Sequence, residues 1–341
     1  MKNMNKRNLL FILFLCVLII SVFLSNGYRK NSEQVLRVQL IDQISLLVNG
    51  KSAFSDVNDM LIDKDGNFII VDSYQTRGIY VFNKRGDFIK KIGRMGQGPG
   101  EHTEPTSIAI NPKGQLLVCD YMNNRINVFN SDYTFYKSII IQGRIKRHIF
   151  APTISEIIMY NGMAPPLGNK IHDTIVKYNK EGKKIASFAP LQHEVLKTHF
   201  CSARNGVSFD KFINIYEINP LFYQIRKYDI DGNLIKECLP NSNKFYLNNN
   251  NNDQDPILIN GPFVVGEKYI IVQIENSIDI FDLNLIQIVK ELPFKEKIVC
   301  TDKNKFYTFS WSDKSQKLDE YRPVVRCYTL VSIKSKTKYK Q

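Results

Sequence analysis

One short stretch concentrates side chains that could bind or react. Gly93-Arg94-Met95-Gly96-Gln97-Gly98-Pro99-Gly100-Glu101 is followed directly by His102 and then by Pro105. Arg94 can pair with an anion, Gln97 and Glu101 can hydrogen-bond a polar ligand, and His102 can titrate near neutrality. The glycines do not make a phosphate cradle, because no Gly-Lys-Ser/Thr follows them. They do not make a dinucleotide fingerprint either, since no βαβ pattern surrounds them. No Gly-x-Ser-x-Gly elbow exists to carry a serine nucleophile. Glu101 and Glu104 form a close acidic pair, with nothing in the sequence to bury either one. The glycines and Pro99 therefore read as shaping a tight connection. Asp72 with Arg77, and Asp120 with Arg125, share the spacing aliphatic–Asp–x4–Arg. A charge-assisted hydrogen bond repeated at one spacing reads as a turn lock rather than as catalysis.

The elements that hold these residues follow from internal repetition. Six tetrads begin with a β-branched aliphatic and end with an aromatic: Ile79 to Phe82, Ile126 to Phe129, Ile175 to Tyr178, Ile225 to Tyr228, Ile278 to Phe281 and Val325 to Tyr328. The aromatics are spaced by 47, 49, 50, 53 and 47 residues. The next residue is Asn83, Asn130, Asn179, Asp229, Asp282 or Thr329. Before each tetrad lies a second apolar run, at residues 68–71, 116–119, 157–160, 212–216, 269–273 and 306–309. Gly66, Gly86, Gly114, Gly182 and Gly232 stand between runs and supply the positive φ of tight hairpins. Short strands, hairpin turns and a period near 50 predict an all-β six-bladed propeller with four strands per blade, over residues 35–333. The chain ends soon after the third strand of the last blade. Residues 35–41 are expected to supply the missing strand and close the ring, leaving no open sheet edge. Leu191, Val195 and Leu196 hint at a helix over residues 191–200, and the asparagine run 248–252 is expected to be an inserted loop.

The paired Asp and Arg residues of blades 1 and 2 resemble the NHL repeat. The GxxGxGPGE loop with its following proline resembles the six-bladed β-propeller family of Bacteroidetes cell-envelope proteins. That resemblance implies an exported protein. It also brings an enzymatic alternative, because NHL-like lyases place histidines from different blades around a channel zinc. His148, His172 and His199 are the candidates here, and zinc or calcium the candidate ions. Against this, the chain has no His-x-His or His-x3-His pair. The main expectation is no cofactor.

Strand alternation sends the turns between strands 1–2 and 3–4 to one end of each blade. The 2–3 loops and the blade connections go to the other end. All five histidines fall on that second end, as do Tyr74, Tyr121 and Trp311. Arg94, Gln97, Glu101, His102, Tyr74, Tyr121, His148 and Trp311 are accordingly the expected ligand contacts, on the reasoning that long loops on a rigid scaffold carry binding.

Composition is that of a globular chain, with 43% hydrophobic and 23% charged residues, which excludes a disordered, collagen-like or polytopic membrane protein. The net charge of +13 includes a basic tail, residues 334–341. It could favour an anionic surface, but no basic helical stripe or nucleic-acid motif accompanies it. Residues 9–24 are apolar and follow Lys2, Lys6 and Arg7. As a helix they would reach about 24 Å, short of a bilayer core. Residues 1–27 read as a secretory signal, cleaved after Gly27 or kept as a short anchor. Leu15 before Cys16 is not the small residue a lipidated cysteine requires. The five later cysteines have no disulfide or zinc spacing. The sequence therefore describes a monomeric exported propeller, periplasmic or membrane-anchored in the cell envelope. It would bind a peptide, glycan or envelope protein without catalysis. A metal-dependent lyase or lactone hydrolase, and an assembly subunit acting through the basic tail, remain the alternatives.

Overall fold

The computed structural model describes residues 34–334, apart from 161–172, 191–202, 220–222, 241–258, 312–321 and positions 50, 51, 53, 55, 56, 144, 146, 147 and 205. The expected signal, the helix hint, the asparagine run, His172, His193, His199 and the tail beyond Lys334 lie outside the described residues. The chain divides into a unit Gln39–Thr329 and a smaller unit of Met1–Val38 with Leu330–Gln341. Blades 1 to 5 and the part of blade 6 between Gln39 and Thr329 belong to the first.

Six sheets follow one another along the chain. Blade 1 is made of strands Asp59–Ile62, Phe68–Asp72, Gly78–Phe82 and Phe88–Ile92 in that order. Blades 2 to 5 repeat the arrangement over residues 105–140, 148–190, 207–238 and 259–293. All six tetrads lie in third strands. Blade 6 takes Ile298–Asp302, Lys305–Trp311 and Pro323–Lys334 from the end of the chain and its outermost strand, Gln34–Ser45, from the beginning. The Leu46 N–H donates to Pro323 O at 2.9 Å, and Arg326 Nε donates to Gln43 Oε1 at 2.9 Å. Those contacts advance in opposite chain directions, so the closing strand is antiparallel to its neighbour. Blade 5 carries one strand more than expected. Ala203–Arg204 pairs in parallel with Ile259 and Asn260.

Successive side chains point to opposite faces of a strand, and here both faces are buried. Ile70, Tyr80 and Phe82 pack against Val299, Tyr307 and Cys327 of blade 6. Their neighbours Ile69, Val71 and Val81 pack against Ile108, Leu116 and Val118 of blade 2. The same sharing of clusters joins blades 2 and 3, 3 and 4, and 4 and 5. Blades 5 and 6 are also tied by polar groups, with Asn260 Nδ2 donating to Ile298 O at 2.7 Å and Gln273 Nε2 to Glu296 O at 2.8 Å. Cys119 and Cys327 are buried among core side chains and in no disulfide.

The Asn or Asp after a tetrad has a mechanical role. The turns begun by Asp63, Asn83, Asn111, Asn179, Asp210, Asp229 and Asp282 share one side-chain cap. Each Oδ1 accepts from the backbone N–H two and four residues on. The residue three positions after the cap takes positive φ: Gly66, Gly86, Gly114, Gly182, Ile213, Gly232 and Leu285. The expected apolar run 212–216 is shifted by this device. Phe212 lies in the turn, 72% exposed, and the strand is Ile215–Asn219, because Asp210 claims the Phe212 and Asn214 amides.

Ile213 holds φ of 62° with a β-branched side chain, a conformation that disfavours it by roughly 1–2 kcal/mol. We expect Ile213→Gly to raise the urea midpoint by an amount worth about 1 kcal/mol. The same change at Leu285 should destabilise, because Leu285 is packed in the core between blades 4 and 5 and its loss leaves a cavity.

Candidate functional site

The connection from blade 1 to blade 2 is a rigid structure built on Asp120, Arg125 and Asn127. Asp120 is wholly buried and accepts from Thr103 N at 2.9 Å, Asn123 Nδ2 at 2.7 Å and Arg125 Nε at 3.1 Å. The Arg125 guanidinium then grips the glycine-rich loop by its backbone. Nη1 donates to Gln97 O at 2.9 Å, and Nη2 donates to Gly98 O at 3.0 Å and Glu101 O at 2.8 Å. The Asp120–Arg125 pair thus locks a loop, as its spacing suggested. Its blade 1 counterpart works differently: Asp72 collects the amides of Tyr74, Gln75 and Thr76, and Arg77 turns the chain at φ of 46°.

Glu101 folds back over the loop, accepting from Gly98 N at 2.8 Å and Arg94 Nε at 2.6 Å. Those two donors hold its carboxyl below the usual carboxylate range. A Cβ on Gly96 would lie 2.1 Å from Glu101 Oε2, so glycine is required there for the fold-back.

His102 was expected among the ligand contacts, but its side chain is fully buried. Asn127 Oδ1 accepts from Ser138 Oγ at 2.6 Å, and Asn127 Nδ2 donates to Glu101 O at 2.8 Å. The amide orientation is thereby set, so Asn127 also donates to His102 Nδ1 at 3.1 Å. The proton then belongs on Nε2, which lies where a Cβ on Gly93 would be 2.2 Å away and has no partner. Burial pushes the His102 pKa down to about 4, with Asp120 pulling it up and Arg125 pushing it down. The imidazole is neutral at pH 7 and supports the loop from beneath.

Two neighbouring loops are stitched to this connection. Asn123 Nδ2 donates to Thr103 Oγ1 at 2.9 Å, and Tyr121 N donates to Glu104 O at 2.9 Å. Ser73 Oγ donates to Pro105 O, which fixes the loop carrying Tyr74. The stitched loops expose Tyr74 (68%), Met95 (64%), Met122 (63%) and the Arg94 side chain (83%), with Gln97 exposed beside them. Tyr121 is half-buried against the core between blades 2 and 3. Trp311 is not brought to this group. It ends strand Lys305–Trp311 and packs on Phe54 and Phe309 with ring centroids 6.4 and 5.5 Å away.

His148 lies at a second place. It opens the first strand of blade 3 and lines a cavity of about 310 Å³ that is bounded by the first strands of all six blades, the axial channel of the propeller. Asp59, Ser107 and Cys300 share that lining, and sequence reasoning overlooked them. A polar residue at the start of an inner strand was the available signal. Asp59 Oδ2 accepts from Ser107 Oγ at 2.7 Å and Ile108 N at 2.9 Å. Burial and the Asp59 charge raise the Cys300 thiol well above its ordinary value. A catalytic zinc needs three protein ligands. Among the described residues no cluster of three His, Cys, Asp or Glu side chains could hold a metal, and the other two candidates, His172 and His199, lie outside the described residues.

Burial pushes the Asp59 pKa up to about 6, against the pull of its hydrogen bonds. A raised folded pKa gives stability that is present at low pH and lost as pH rises through 6. The depressed His102 has the opposite slope over nearly the same window. The unfolded chain protonates that histidine first, so stability falls as pH drops from 6.5 towards 4. The two effects oppose each other between about pH 4 and 6. Asp59→Asn should therefore gain stability over wild type by up to about 3 kcal/mol across that window. Chemical denaturation at pH 4, 5 and 6 measures it, and a constant difference would contradict the assignment.

The chain now has an architecture to compare. A family match runs over residues 30–242, to the 6-bladed beta-propeller family DUF5128. The chain belongs to that family. A Bacteroides fragilis protein described as exported superposes with a TM-score of 0.57 at 14% identity, covering 86% of this chain and 95% of that one. Virginiamycin B lyase from Staphylococcus aureus, solved with quinupristin, superposes at 0.51 and 13% identity, covering 89% and 97%. These likenesses establish fold alone. Peptidyl-glycine alpha-amidating monooxygenase B of Xenopus laevis is 30% identical over 132 residues, which is 35% of this chain and 15% of that protein. The chain spans 13–15% of the length of the curated relatives it matches.

Proposed function

We propose that this family member is an exported binding propeller that docks an envelope peptide or protein on the stitched loops of blades 1 and 2. The observation that supports it most is the use of Arg125. The guanidinium is consumed in holding the backbone of residues 97–101, so the loop is ordered before any ligand arrives. Preordering lowers the entropy cost of binding. What the loop and its neighbours display is Tyr74, Arg94, Met95 and Met122. Tyrosine, arginine and methionine are the types enriched at protein interfaces. Export is supported by the basic and apolar start of the chain and by the exported Bacteroides protein of the same fold.

The test passes envelope extract over immobilised wild type, Tyr74→Ala/Arg94→Ala and a Lys290→Ala control. A protein retained by wild type and control but released by the double variant is expected. Equal retention by all three, or retention of a glycan without protein, overturns the reading. The enzymatic alternative rests on His148 in the channel and on the fold shared with virginiamycin B lyase. Stoichiometric zinc or calcium in the purified protein, lost in His148→Ala, would favour it instead.

A further inference from the structure

The axial channel carries a charge imbalance opposite to that of the chain. The sequence has 46 lysines and arginines against 33 acidic residues, yet neither a lysine nor an arginine lines the channel cavity. Asp59 is the one acidic side chain of the lining. Its other titratable groups are His148 and Cys300, and the raised Cys300 thiol is uncharged at pH 7. Among the described residues no lysine or arginine acts on Asp59. Three donors reach its carboxylate: Met60 N at 2.9 Å on Oδ1, and Ser107 Oγ at 2.7 Å and Ile108 N at 2.9 Å on Oδ2. A carboxylate offers about four lone-pair sites, so Oδ1 keeps one. The side chain is half-buried rather than sealed, and the channel cavity is the space beside it. Above pH 6 the group is an anion drawn away from bulk water, held by neutral donors and without a counter-cation. An entering cation relieves that state.

The rest of the lining decides what the cation can carry. Leu61, two residues after Asp59, shares its face of the first strand of blade 1. Phe150 and Phe209, with ring centroids 5.4 Å apart, line the cavity together with Phe263 and Val299. Apolar walls with one convergent charge suit a ligand that has an apolar body and one opposite charge. They repay little of the dehydration of a small inorganic ion. An anion would be repelled by Asp59, and a neutral apolar molecule would leave the carboxylate as it is. At about 310 Å³ the cavity stands at the small end of ligand sites.

We propose that the axial channel binds a small organic ammonium with an apolar body, its N–H groups on Asp59 and its body against Leu61, Phe150 and Phe209. The site is separate from the loop platform and stands or falls without it. The test is calorimetric titration of the full chain at pH 7.5 with benzylammonium and, as the neutral control, benzyl alcohol. Benzylammonium should bind at least tenfold tighter than the alcohol, and Asp59→Asn should weaken it by at least tenfold. That variant keeps the side-chain volume and removes an uncompensated charge, so it should fold at least as well as wild type. Glu181→Gln, at an exposed carboxylate of an outer turn, should leave the affinity unchanged. The Ile108 amide, which donates to Asp59, should shift on binding in proton–nitrogen spectra of wild type and stay still in Asp59→Asn. Absence of benzylammonium binding, equal binding of the ammonium and the alcohol, or full binding by Asp59→Asn overturns the proposal.

Discussion

Arg226→Ala should lower the unfolding free energy by about 3–5 kcal/mol, the scale for removing one partner of a buried ion pair. Arg226 and Glu217 meet in a bidentate fork, Nε to Oε2 at 2.9 Å and Nη2 to Oε1 at 3.0 Å. Glu217 is fully buried and Arg226 is 5% exposed. The pair also joins two blades. Thr174 Oγ1 of blade 3 donates to Glu217 Oε1 at 3.0 Å, and Arg226 Nη1 donates to Pro190 O of blade 3 at 3.0 Å. Alanine would leave a carboxylate in the interface with one hydroxyl and no counter-charge. The double variant Glu217→Leu/Arg226→Met should recover most of the loss, because it removes both charges and keeps the volume. Urea midpoints for the two single variants and the double variant measure this. Near-additive losses would mean that the pair contributes nothing as a pair.

That interaction was not legible in the sequence, and the reason is general. A blade must bury both faces and turn tightly, so its strands carry an apolar tetrad followed by an Asx cap, and this local demand is visible as a period of about 50 residues. Ring closure was legible from counting strands, since a last blade with three strands needs one from elsewhere. Contacts between blades obey no such spacing. Glu217 and Arg226 read as ordinary charges in alternating strands, and Tyr133 as one residue of a polar turn. Only the three-dimensional neighbour shows that one lies in a dry interface and the other reaches Asp63 of blade 1. His102 illustrates the converse. Its residue type promised chemistry, but the absence of a side chain on Gly93 makes room for the ring to turn inward, and burial then removes its charge. The exposed character of Tyr74, at the start of a 2–3 loop, followed from topology. The packing of Trp311 on Phe54 did not, because its strand runs to Trp311 itself and Phe54 comes from a distant segment.

Arg125→Ala carries the second large effect and links the fold to the proposed binding surface. Its four hydrogen bonds have one carboxylate and three backbone carbonyls as acceptors. The Arg125 side chain is 11% exposed and the Asp120 side chain 0%. Losing the guanidinium leaves Asp120 with amide donors but without a counter-charge, at a cost of about 2–4 kcal/mol. The consequence should also be local. With Gln97, Gly98 and Glu101 released, amides of residues 93–101 should exchange with solvent deuterium far faster, while strand Leu116–Asp120 of blade 2 stays protected. Arg125→Lys should rescue little. One ammonium cannot span the carboxylate and three carbonyls that the planar fork reaches at once. If binding uses the preordered loop, Arg125→Ala should weaken partner retention as much as Tyr74→Ala/Arg94→Ala does, although Arg125 itself is nearly buried. Retention that survives a loop shown to be mobile by exchange would locate the binding surface elsewhere on the propeller.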